Sequence, residues 1–421
     1  MRSLIKSVSV CGLGKLGACI AATVADRGFR VVGIDIDAKK AQALSEGLPP
    51  VEEPGLAETV ARARTRLSAS TDPQAAVETD ATFFIPPSPS LPDGSFSTEF
   101  LLRAMESVAA ALRKAGKKGH LFVCNSTTTP GAMDKILLPM LEKVLGGKAG
   151  RDFGVVYNPE FIALGDVIRG LLNPDFVLIG ESDPDSGQAM EGFYRQYCLN
   201  DAPIRRMSLV DAELCKISVN SFVTMKISFT NQLRLVAQGI GADAGVILQA
   251  LGQDTRIGEK YLRLGLSYGG PCFPRDNRLF AWTAKQAGVQ AHLAEATDRV
   301  NEAAKADLLR RVCEAVPLPG SVAVLGLAYK PHTHITEESA GLHLAQQLKR
   351  KGFRVLVHDP QSTPANSPAL HEFETMPDPW TADSWKGVQA VVLTCPWPAY
   401  TNLPIPASVK RVGGWALPGP A

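Results

Sequence analysis

The chain has 421 residues, 45% of them hydrophobic and 20% charged, so it is long enough to form two or three domains with buried cores. Its 44 basic and 42 acidic side chains leave a net charge of +2, which argues against a nucleic-acid or membrane surface. No apolar run is long enough to span a membrane, and residues 1–10 do not resemble a signal peptide. The eight cysteines show neither zinc-site nor disulfide spacing, so we expect no metal and a reducing, cytoplasmic location.

The first segment has the pattern of a βαβ unit. Residues 7–11 predict a strand, residues 12–17 a glycine-rich turn, and the Ala-rich stretch to about Arg27 a helix. A second strand is predicted over residues 30–35.

The glycine-rich turn carries a dinucleotide-binding pattern. Gly12, Gly14 and Gly17 form GxGxxG, in which the first glycine permits a tight turn, the second admits a pyrophosphate and the third lets helix and strand pack closely. Asp35 ends the next strand, where a carboxylate binds a ribose 2′-hydroxyl and repels a 2′-phosphate. The pattern therefore predicts NAD rather than NADP as the cofactor, and the alternative is a purely structural glycine turn.

The remaining elements predict two α/β domains with helices between them. Short apolar runs at residues 81–85, 120–124 and 176–179 indicate buried parallel strands, so the first domain is expected to end near residue 205. Helical patterns then cover residues 209–239 and 277–316. Strand patterns return in three segments, with a helix between the first two: residues 321–328, 353–359 and 390–394.

A cysteine loop near the middle of the chain is suited to covalent chemistry. Gly269 and Gly270 can adopt backbone angles that are closed to other residues, and two prolines stiffen the loop around Cys272. Asp276 places a carboxylate four residues after the thiol. The alternative is a buried structural cysteine in a Gly/Pro turn.

The long predicted helix carries a polar stripe. Glu213, Lys216 and Asn220 are spaced i, i+3, i+7 and share a face. Lys216 and Asn220 can together stabilise negative charge that develops on an alcohol or aldehyde oxygen. The alternative is a solvated polar stripe.

Taken in order, the motifs resemble those of the nucleotide-sugar 6-dehydrogenases, the UDP-glucose/GDP-mannose dehydrogenase family, and the cysteine loop is most similar to the UDP-glucose branch. They span nearly the whole chain: residues 12–17, 87–89, 126–131, 158–161, 212–220, 254–258, 268–276 and 324–331.

The resemblance implies a three-part α/β architecture. It consists of two Rossmann-like, doubly wound domains joined by a central helical dimerisation region. The implied boundaries are residues 1–205 for the NAD-binding domain, 206–316 for the helical region with the cysteine loop, and 317–421 for the domain that binds the nucleotide sugar. The implied partners are NAD, a UDP-sugar and a second copy of the chain.

The resemblance also implies a reaction and its residues. A C6 alcohol is oxidised to an aldehyde, Cys272 adds to it, a second oxidation gives a thioester, and water releases the carboxylate. Lys216 and Asn220 stabilise the oxyanion, Asp276 orients water, and Thr127 and Glu160 complete the proton network. The implied cofactor-binding residues are Gly12, Gly14, Leu16, Gly17, Asp35, Ser88 and Thr127. The implied substrate-binding residues are Phe161, Lys216, Asn220, Arg256, Tyr261, Tyr268, Gly269, Tyr329 and Lys330.

Several positions depart from the family pattern. Leu164 replaces a second carboxylate, Phe176 replaces an arginine, and Glu337 stands where an arginine approaches phosphates. An expected Asp-Gly-Arg segment reads Gly-Gly-Trp and ends at Trp415. These changes fall on phosphate contacts and the water network more than on the cysteine, lysine and asparagine.

Alternatives remain open at this level. Within the family, the substrate can be GDP-mannose or a UDP-N-acetylhexosamine instead of UDP-glucose. Outside it, a two-electron hydroxyacid-type dehydrogenase or a non-catalytic sugar-nucleotide-binding paralogue shares some motifs. Arg256 can instead form a helix-end salt bridge, Lys330 can be solvated, and the pair His332 and His334 lacks further ligands for a metal.

Overall fold

The computed structural model describes residues 4–162 and 165–415. They form two compact units, which divide between Ile217 and Ser218. The division falls inside one long helix, α8 (Leu209–Ile240). None of the helices within the described residues is long and apolar enough to cross a membrane.

The first unit is built on an eight-stranded sheet. Its strands are β1 (Ser7–Cys11), β2 (Arg30–Ile34), β3 (Leu67–Ser70), β4 (Ala81–Phe84), β5 (Leu121–Cys124), β6 (Gly154–Tyr157), β7 (Val177–Glu181) and β8 (Ile204–Ser208). Their order is β3-β2-β1-β4-β5-β6-β7-β8, so the chain winds outward in both directions from β1. This is the doubly wound topology that the sequence predicted.

Helices cover both faces of this sheet. They are α1 (Lys15–Asp26), α2 (Ala38–Ser45), α3 (Leu56–Ala63), α4 (Glu99–Lys114), α5 (Leu138–Leu145), α6 (Val167–Leu172) and α7 (Pro184–Tyr197). Successive strand residues alternate between the two cores, as Phe83 and Phe84 show: Phe83 packs with α1 and α7, and Phe84 packs with α4. Strands buried on both faces explain why the sequence shows continuous apolar runs here.

The prediction of parallel strands is wrong at one pairing. Strand β7 runs parallel to β8 but antiparallel to β6. Among the described residues between β6 and β7, the one helix is the six-residue α6, which spans roughly 9 Å at 1.5 Å per residue. A crossover helix this short does not carry the chain back along the sheet, so β7 returns in the opposite direction.

The second unit combines helices with a five-stranded parallel sheet. The helices that follow α8 are α9 (Ala244–Gln253), α10 (Phe273–Gln286), α11 (His292–Ala315) and α12 (Ala340–Arg350). The strands are β9 (Ser321–Leu325), β10 (Arg354–His358), β11 (Glu374–Thr375), β12 (Ala390–Leu393) and β13 (Lys410–Gly414). Their order, β11-β10-β9-β12-β13, repeats the doubly wound plan with β9 at the centre.

Candidate active site

The glycine-rich turn has the geometry that its three glycines predicted. Gly12 has a φ of +101°, and a Cβ there would lie 2.9 Å from the carbonyl oxygen of Ile85. A Cβ on Gly17 would lie 1.8 Å from the carbonyl oxygen of Gly12, so only glycine lets α1 approach the turn. A Cβ on Gly14 would meet nothing within 4 Å. The open side of the turn is therefore at Gly14, where a pyrophosphate needs room.

The first turn of α1 and Asp35 complete a site that fits NAD. Gly14 is the N-cap of α1 and offers no side-chain cap, so the backbone N–H groups of the first turn, including that of Leu16, are available to an anion. The carboxylate of Asp35 accepts hydrogen bonds from the N–H of Leu13 at 2.5 Å and of Asp37 at 2.9 Å. Asp35 thus lies beside the turn with a fixed orientation, as a ribose-binding carboxylate requires. Ser88 is half-buried in the loop after β4.

Glu160 belongs to a buried polar network in the first unit. The hydroxyl of Tyr194 donates to Oδ1 of Asn158 at 2.6 Å and lies 3.2 Å from Oε1 of Glu160. The ammonium of Lys216 donates to the carbonyl oxygen of Glu160 at 2.7 Å. Burial raises the pKa of Glu160 from 4.5 to about 7, although the Tyr194 hydroxyl and the Lys216 charge oppose the shift. A carboxyl group that titrates near neutrality is suited to act as a general base.

Phe176, one of the departures from the family pattern, supports the same network. Its ring packs against Phe161 with centroids 4.8 Å apart. The ammonium of Lys216 lies 4.6 Å from the centroid of Phe161, within cation–π range. The Phe161–Phe176 pair therefore packs beside Lys216. At position 176 the family resemblance implied an arginine.

Glu213 fastens the loop of Thr127 to helix α8. The carboxylate is fully buried, and it accepts hydrogen bonds from the Thr128 hydroxyl at 2.8 Å, the Gly131 N–H at 2.7 Å and the Met133 N–H at 3.0 Å. Burial raises the pKa of Glu213 to about 7. Thr127, half-buried, precedes these anchored residues directly, so the loop that carries it has a defined position.

The polar stripe of α8 is not solvated. Glu213, Lys216 and Asn220 are 0%, 8% and 9% exposed. These low exposed fractions exclude the alternative of a solvated polar stripe. Buried polar side chains are stable where their hydrogen bonds are satisfied.

Cys272, the predicted nucleophile, lies in the second unit. Cys272 is the N-cap of α10 and is exposed, whereas the other seven cysteines of the chain, all within the described residues, are buried or half-buried. The positive end of the helix dipole stabilises negative charge at this position. The structure therefore excludes the alternative of a buried structural cysteine.

Asp276 lies one turn into α10 and is held there. Its backbone N–H donates to the carbonyl oxygen of Cys272 at 2.9 Å, and its carboxylate accepts a 2.6 Å hydrogen bond from the side-chain amide of Asn220. Asp276 is 3% exposed. The structure thus brings Cys272, Asp276 and Asn220 together in the second unit, and Glu160 and Lys216 together in the first.

Among the predicted substrate-binding residues of the second unit, Tyr268 and Arg256 have partners within the fold. The polar atoms of Tyr268 are paired with α11: its N–H and carbonyl bond to the side chain of Asn301, and its hydroxyl donates to Asp298. Arg256 forms an ion pair with Asp254 at 2.6 Å, so the helix-end salt bridge is present. Tyr261, by contrast, is exposed and has a φ of +66°.

Gly269, Tyr329 and Lys330 occupy two adjoining loops. A Cβ on Gly269 would lie 2.2 Å from the carbonyl oxygen of Glu338, so glycine is required there. Tyr329 and Lys330 are half-buried and follow strand β9. The side chain of Glu337 is exposed.

Asp359 is a functional-looking residue that the sequence did not suggest. It directly follows β10 as Asp35 directly follows β2, and its carboxylate accepts hydrogen bonds from the N–H groups of Leu327 and Ala328. The same carboxylate also accepts from the indole N–H of Trp397 at 3.1 Å. Two further backbone N–H groups, of Gln361 and Ser362, bond to its other oxygen. Its acceptor positions are therefore filled from within the chain.

Two other departures can be placed. The ring of Trp415 lies against Gly265, where a Cβ would be 2.8 Å from it, and 5.9 Å from the guanidinium of Arg263. Leu164 lies outside the described residues. Within the described residues no group of three or more His, Cys, Asp and Glu side chains could hold a metal ion.

Comparison with known proteins identifies all three parts of the chain. Residues 6–198 match the NAD binding domain of the UDP-glucose/GDP-mannose dehydrogenase family, residues 210–303 its central domain and residues 323–414 its UDP binding domain.

Individual relatives agree with these matches. The UDP-glucose 6-dehydrogenase AglM of Haloferax volcanii is 34% identical over 85% of this chain and 84% of its own length. The GDP-mannose 6-dehydrogenase of Azotobacter vinelandii is 32% identical over 84% of this chain and 80% of its own. The solved structure of a UDP-glucose dehydrogenase from Pyrobaculum islandicum is 32% identical and superposes with a TM-score of 0.90 over 99% of both chains. With NAD-binding, central and nucleotide-binding domains matched in order, the chain belongs to the UDP-glucose/GDP-mannose dehydrogenase family, the NAD-dependent nucleotide-sugar 6-dehydrogenases.

Proposed function

We propose that the protein oxidises the C6 alcohol of UDP-glucose to the carboxylate, giving UDP-glucuronate through a thioester on Cys272. The observation that carries this proposal is the exposed thiol at the start of α10, one turn before a buried Asp276 that Asn220 holds. A two-electron hydroxyacid-type dehydrogenase has no step for such a thiol, and a non-catalytic paralogue has no use for it.

The thiol explains how one protein carries out a four-electron oxidation. NAD, which Gly12, Gly14, Gly17 and Asp35 would hold, would supply the hydride acceptor that each of the two oxidations of the sugar requires. Between these steps the thiolate adds to the aldehyde carbon and keeps it covalently bound. Water then attacks the thioester, the C–S bond breaks, and the acid leaves as the thiolate is restored.

The remaining polar residues stabilise charge and move protons. Lys216 and Asn220 stabilise the negative oxygen that forms when the thiolate or water adds to the carbonyl carbon. Asp276 orients the attacking water. Glu160, whose pKa is about 7, accepts a proton from that water, and Thr127 completes the proton network.

The ligand-binding assignments follow the same reasoning. The proposed NAD-binding residues are Gly12, Gly14, Leu16, Gly17, Asp35, Ser88 and Thr127. The proposed substrate-binding residues are Phe161, Lys216, Asn220, Arg256, Tyr261, Tyr268, Gly269, Tyr329 and Lys330. Because Tyr268 uses its polar atoms within the fold, its proposed contact with substrate is through the edge of its ring or through its neighbour Gly269.

Two further parts of the proposal concern architecture. We assign residues 1–205, 206–316 and 317–421 to NAD binding, the helical region with the cysteine loop, and nucleotide-sugar binding. We also assign a homodimer interface to α8, where Phe222, Phe229 and Val236 recur every seven residues and are 60%, 53% and 54% exposed.

UDP-glucose is preferred over other nucleotide sugars because the cysteine loop, residues 268–276, is most similar to the UDP-glucose branch. The alternatives are GDP-mannose, on which the 32% identical Azotobacter relative is named to act, and UDP-N-acetylhexosamines. The test is a panel of these nucleotide sugars, with NADH production followed by absorbance and the product identified by mass. Two NADH per UDP-glucose and a uronate product are expected.

The covalent route is tested with Cys272→Ala. We expect this variant to form no uronate while it retains NAD binding, because the thiolate is the group that holds the aldehyde. Cys272→Ser is expected to accumulate an ester that intact mass detects. An alanine variant that still gives two NADH per sugar at near the original rate contradicts the covalent route.

A further inference from the structure

The cysteine loop is fastened to the loop that joins β9 to α12, residues 326–339. The backbone N–H of Gly270 donates to the carbonyl oxygen of Glu337 at 3.0 Å. Gly270 has a φ of +82°, and a Cβ there would lie 2.4 Å from the ring of Tyr329. A Cβ on Gly269 would lie 2.2 Å from the carbonyl oxygen of Glu338. Two consecutive glycines therefore allow the β9–α12 loop to touch the backbone directly before Cys272.

Glu338 is a constrained residue of this loop and, like His332, has a positive φ. It is not a glycine, yet its φ is +53°, a conformation that persists only when the surroundings impose it. Its Oε1 accepts a 2.9 Å hydrogen bond from the guanidinium of Arg278, and its Oε2 lies 3.8 Å from the ammonium of Lys305. Lys305 is itself 8% exposed and bonds to Glu302.

These two cations connect Glu338 to the helices around the thiol. Arg278 lies on α10, the helix that begins at Cys272 and carries Asp276 in its first turn. Lys305 lies on α11, whose Asn301 and Asp298 hold Tyr268 immediately before the two glycines. A shift of Glu338 therefore reaches Cys272 by two routes, through the glycine backbone and through α10.

We propose that Glu338 is a positioning residue that couples occupancy of the β9–α12 loop by a nucleotide diphosphate to the position and reactivity of the Cys272 thiol. The inference rests on the proposed function in one respect, the assignment of nucleotide binding to Tyr329 and Lys330 on this loop. It makes the thiol selective for a sugar that carries its nucleotide, since a free hexose does not occupy the loop.

The test is the alkylation of Cys272 by iodoacetamide, followed by mass analysis of its peptide, with and without saturating UDP. In the unmodified protein UDP is expected to change the alkylation rate. In Glu338→Gln, which retains the size of the side chain and loses its charge, the change caused by UDP is expected to shrink about tenfold, as loss of one charge-assisted hydrogen bond implies.

Steric shielding by UDP and coupling through Glu338 give different outcomes. Shielding requires only that UDP binds, so it persists in Glu338→Gln at UDP concentrations that saturate the variant, as determined by calorimetry. The change caused by coupling is instead expected to be about tenfold smaller in that variant. A Glu338→Gln protein that binds UDP and shows the original UDP-dependent change in rate overturns the proposal, as does an unmodified protein whose rate UDP leaves unchanged.

One control variant and one partner variant complete the test. Glu314→Gln removes an exposed glutamate of α11 that pairs with Arg310, and it is expected to leave both alkylation rates unchanged. Arg278→Gln removes the partner of Glu338, and the double variant is expected to resemble either single variant, because residues of one ion pair are not additive. Fully additive effects contradict the coupling.

The result can be separated from the proposed function. Alkylation requires no turnover, so a failure of coupling leaves the uronate assay with Cys272→Ala unaffected. Conversely, a protein that forms no uronate but shows coupled alkylation retains this inference and loses the proposed reaction. In an active protein, Glu338→Gln is expected to lower kcat with little change in UDP affinity.

Discussion

At the residue scale, the most informative group beyond the thiol is Glu160. Its carboxyl combines a pKa near 7 with a fixed position, because the Tyr194 hydroxyl approaches its side chain and Lys216 binds its carbonyl. The Glu160 carboxyl group is protonated below about pH 7 and ionised above it, so it can accept a proton only at the higher pH. The proposed hydrolysis step is therefore expected to depend on pH.

We predict that kcat rises as the pH increases through about 7, where Glu160 ionises. Tyr194→Phe removes a hydrogen bond that lowers the pKa of Glu160, so it is expected to move this rise to higher pH. Glu160→Gln is expected to abolish the rise and to slow turnover by about 10²–10⁴-fold, the usual effect of losing a positioned base. The pH profile of kcat for the three proteins measures this.

Glu213 titrates in the same range and provides the control. Its pKa is also about 7, but its carboxylate holds a loop and is assigned no proton transfer. A rise in kcat that survives in Glu160→Gln and disappears in Glu213→Gln contradicts the assignment to Glu160.

Leu164 carries a second residue-scale prediction. Since the family places a carboxylate there, hydrolysis of the thioester is expected to be slower than the oxidation steps and to depend on Asp276 with Glu160. Rapid mixing of protein, NAD and substrate is expected to give a burst of NADH, followed by a slower steady rate, with the acyl-enzyme visible by intact mass. Leu164→Glu is expected to raise the steady rate. A linear trace without a detectable acyl-enzyme points to a different base.

At the scale of elements, α8 has two distinct roles along its length. Its beginning carries the buried Glu213, Lys216 and Asn220, whereas Phe222, Phe229 and Val236 form an exposed apolar stripe farther on. A single side chain of this kind is ordinary on a surface, but three at a seven-residue spacing on one helix favour a partner.

We predict that Phe229→Glu converts the protein to a monomer, because a buried unpaired carboxylate at an interface is strongly unfavourable. Sedimentation velocity measures the change. Gln238→Glu, which introduces the same charge at an exposed position on the opposite face of the same helix, is expected to remain dimeric. If both variants sediment like the original protein, the stripe is not the interface.

The sequence was sufficient for the central strands, the long helices and the motifs that depend on local spacing, but it did not predict strands β3, β6, β8 and β13. The GxGxxG turn, Asp35, helix α8 and the Cys272 loop follow from patterns within about 25 residues. The sequence did not show which residues, distant along the chain, the fold brings into contact. Glu213 meets Thr128 across 85 positions and Tyr194 meets Glu160 across 34. Strand β11 has only two residues, and the reversed β7 depends on the length of a crossover rather than on its own sequence.

At the scale of the whole molecule, the two sheets share a glycine turn after the central strand, but the carboxylates beside the two turns differ in their hydrogen bonds. Gly12 and Gly326 both have positive φ at the end of a central strand, and both donate their N–H to the last residue of the neighbouring strand. The following carboxylates differ: Asp35 accepts from two backbone N–H groups, whereas Asp359 accepts from four, together with the indole of Trp397. The second carboxylate is therefore structural.

We predict that the protein binds one NAD per chain, because Trp397 and the backbone fill the acceptor positions of Asp359 that a ribose would need. Isothermal titration measures the stoichiometry. NADP is expected to bind more weakly, since Asp35 repels its 2′-phosphate. Two NAD per chain, or equal affinity for NADP, contradicts these assignments.

The filled carboxylate of Asp359 has a consequence for the timing of the reaction. In the proposed four-electron oxidation, a chain with a single cofactor site would have to exchange NADH for fresh NAD between the two hydride transfers. During that exchange the half-oxidised sugar has to stay behind, and a covalent bond to Cys272 retains it regardless of how long the exchange lasts. In the proposed reaction the Cys272 thiol therefore acts as a tether across a cofactor exchange, and we expect no free aldehyde to accumulate in solution even when NAD is scarce.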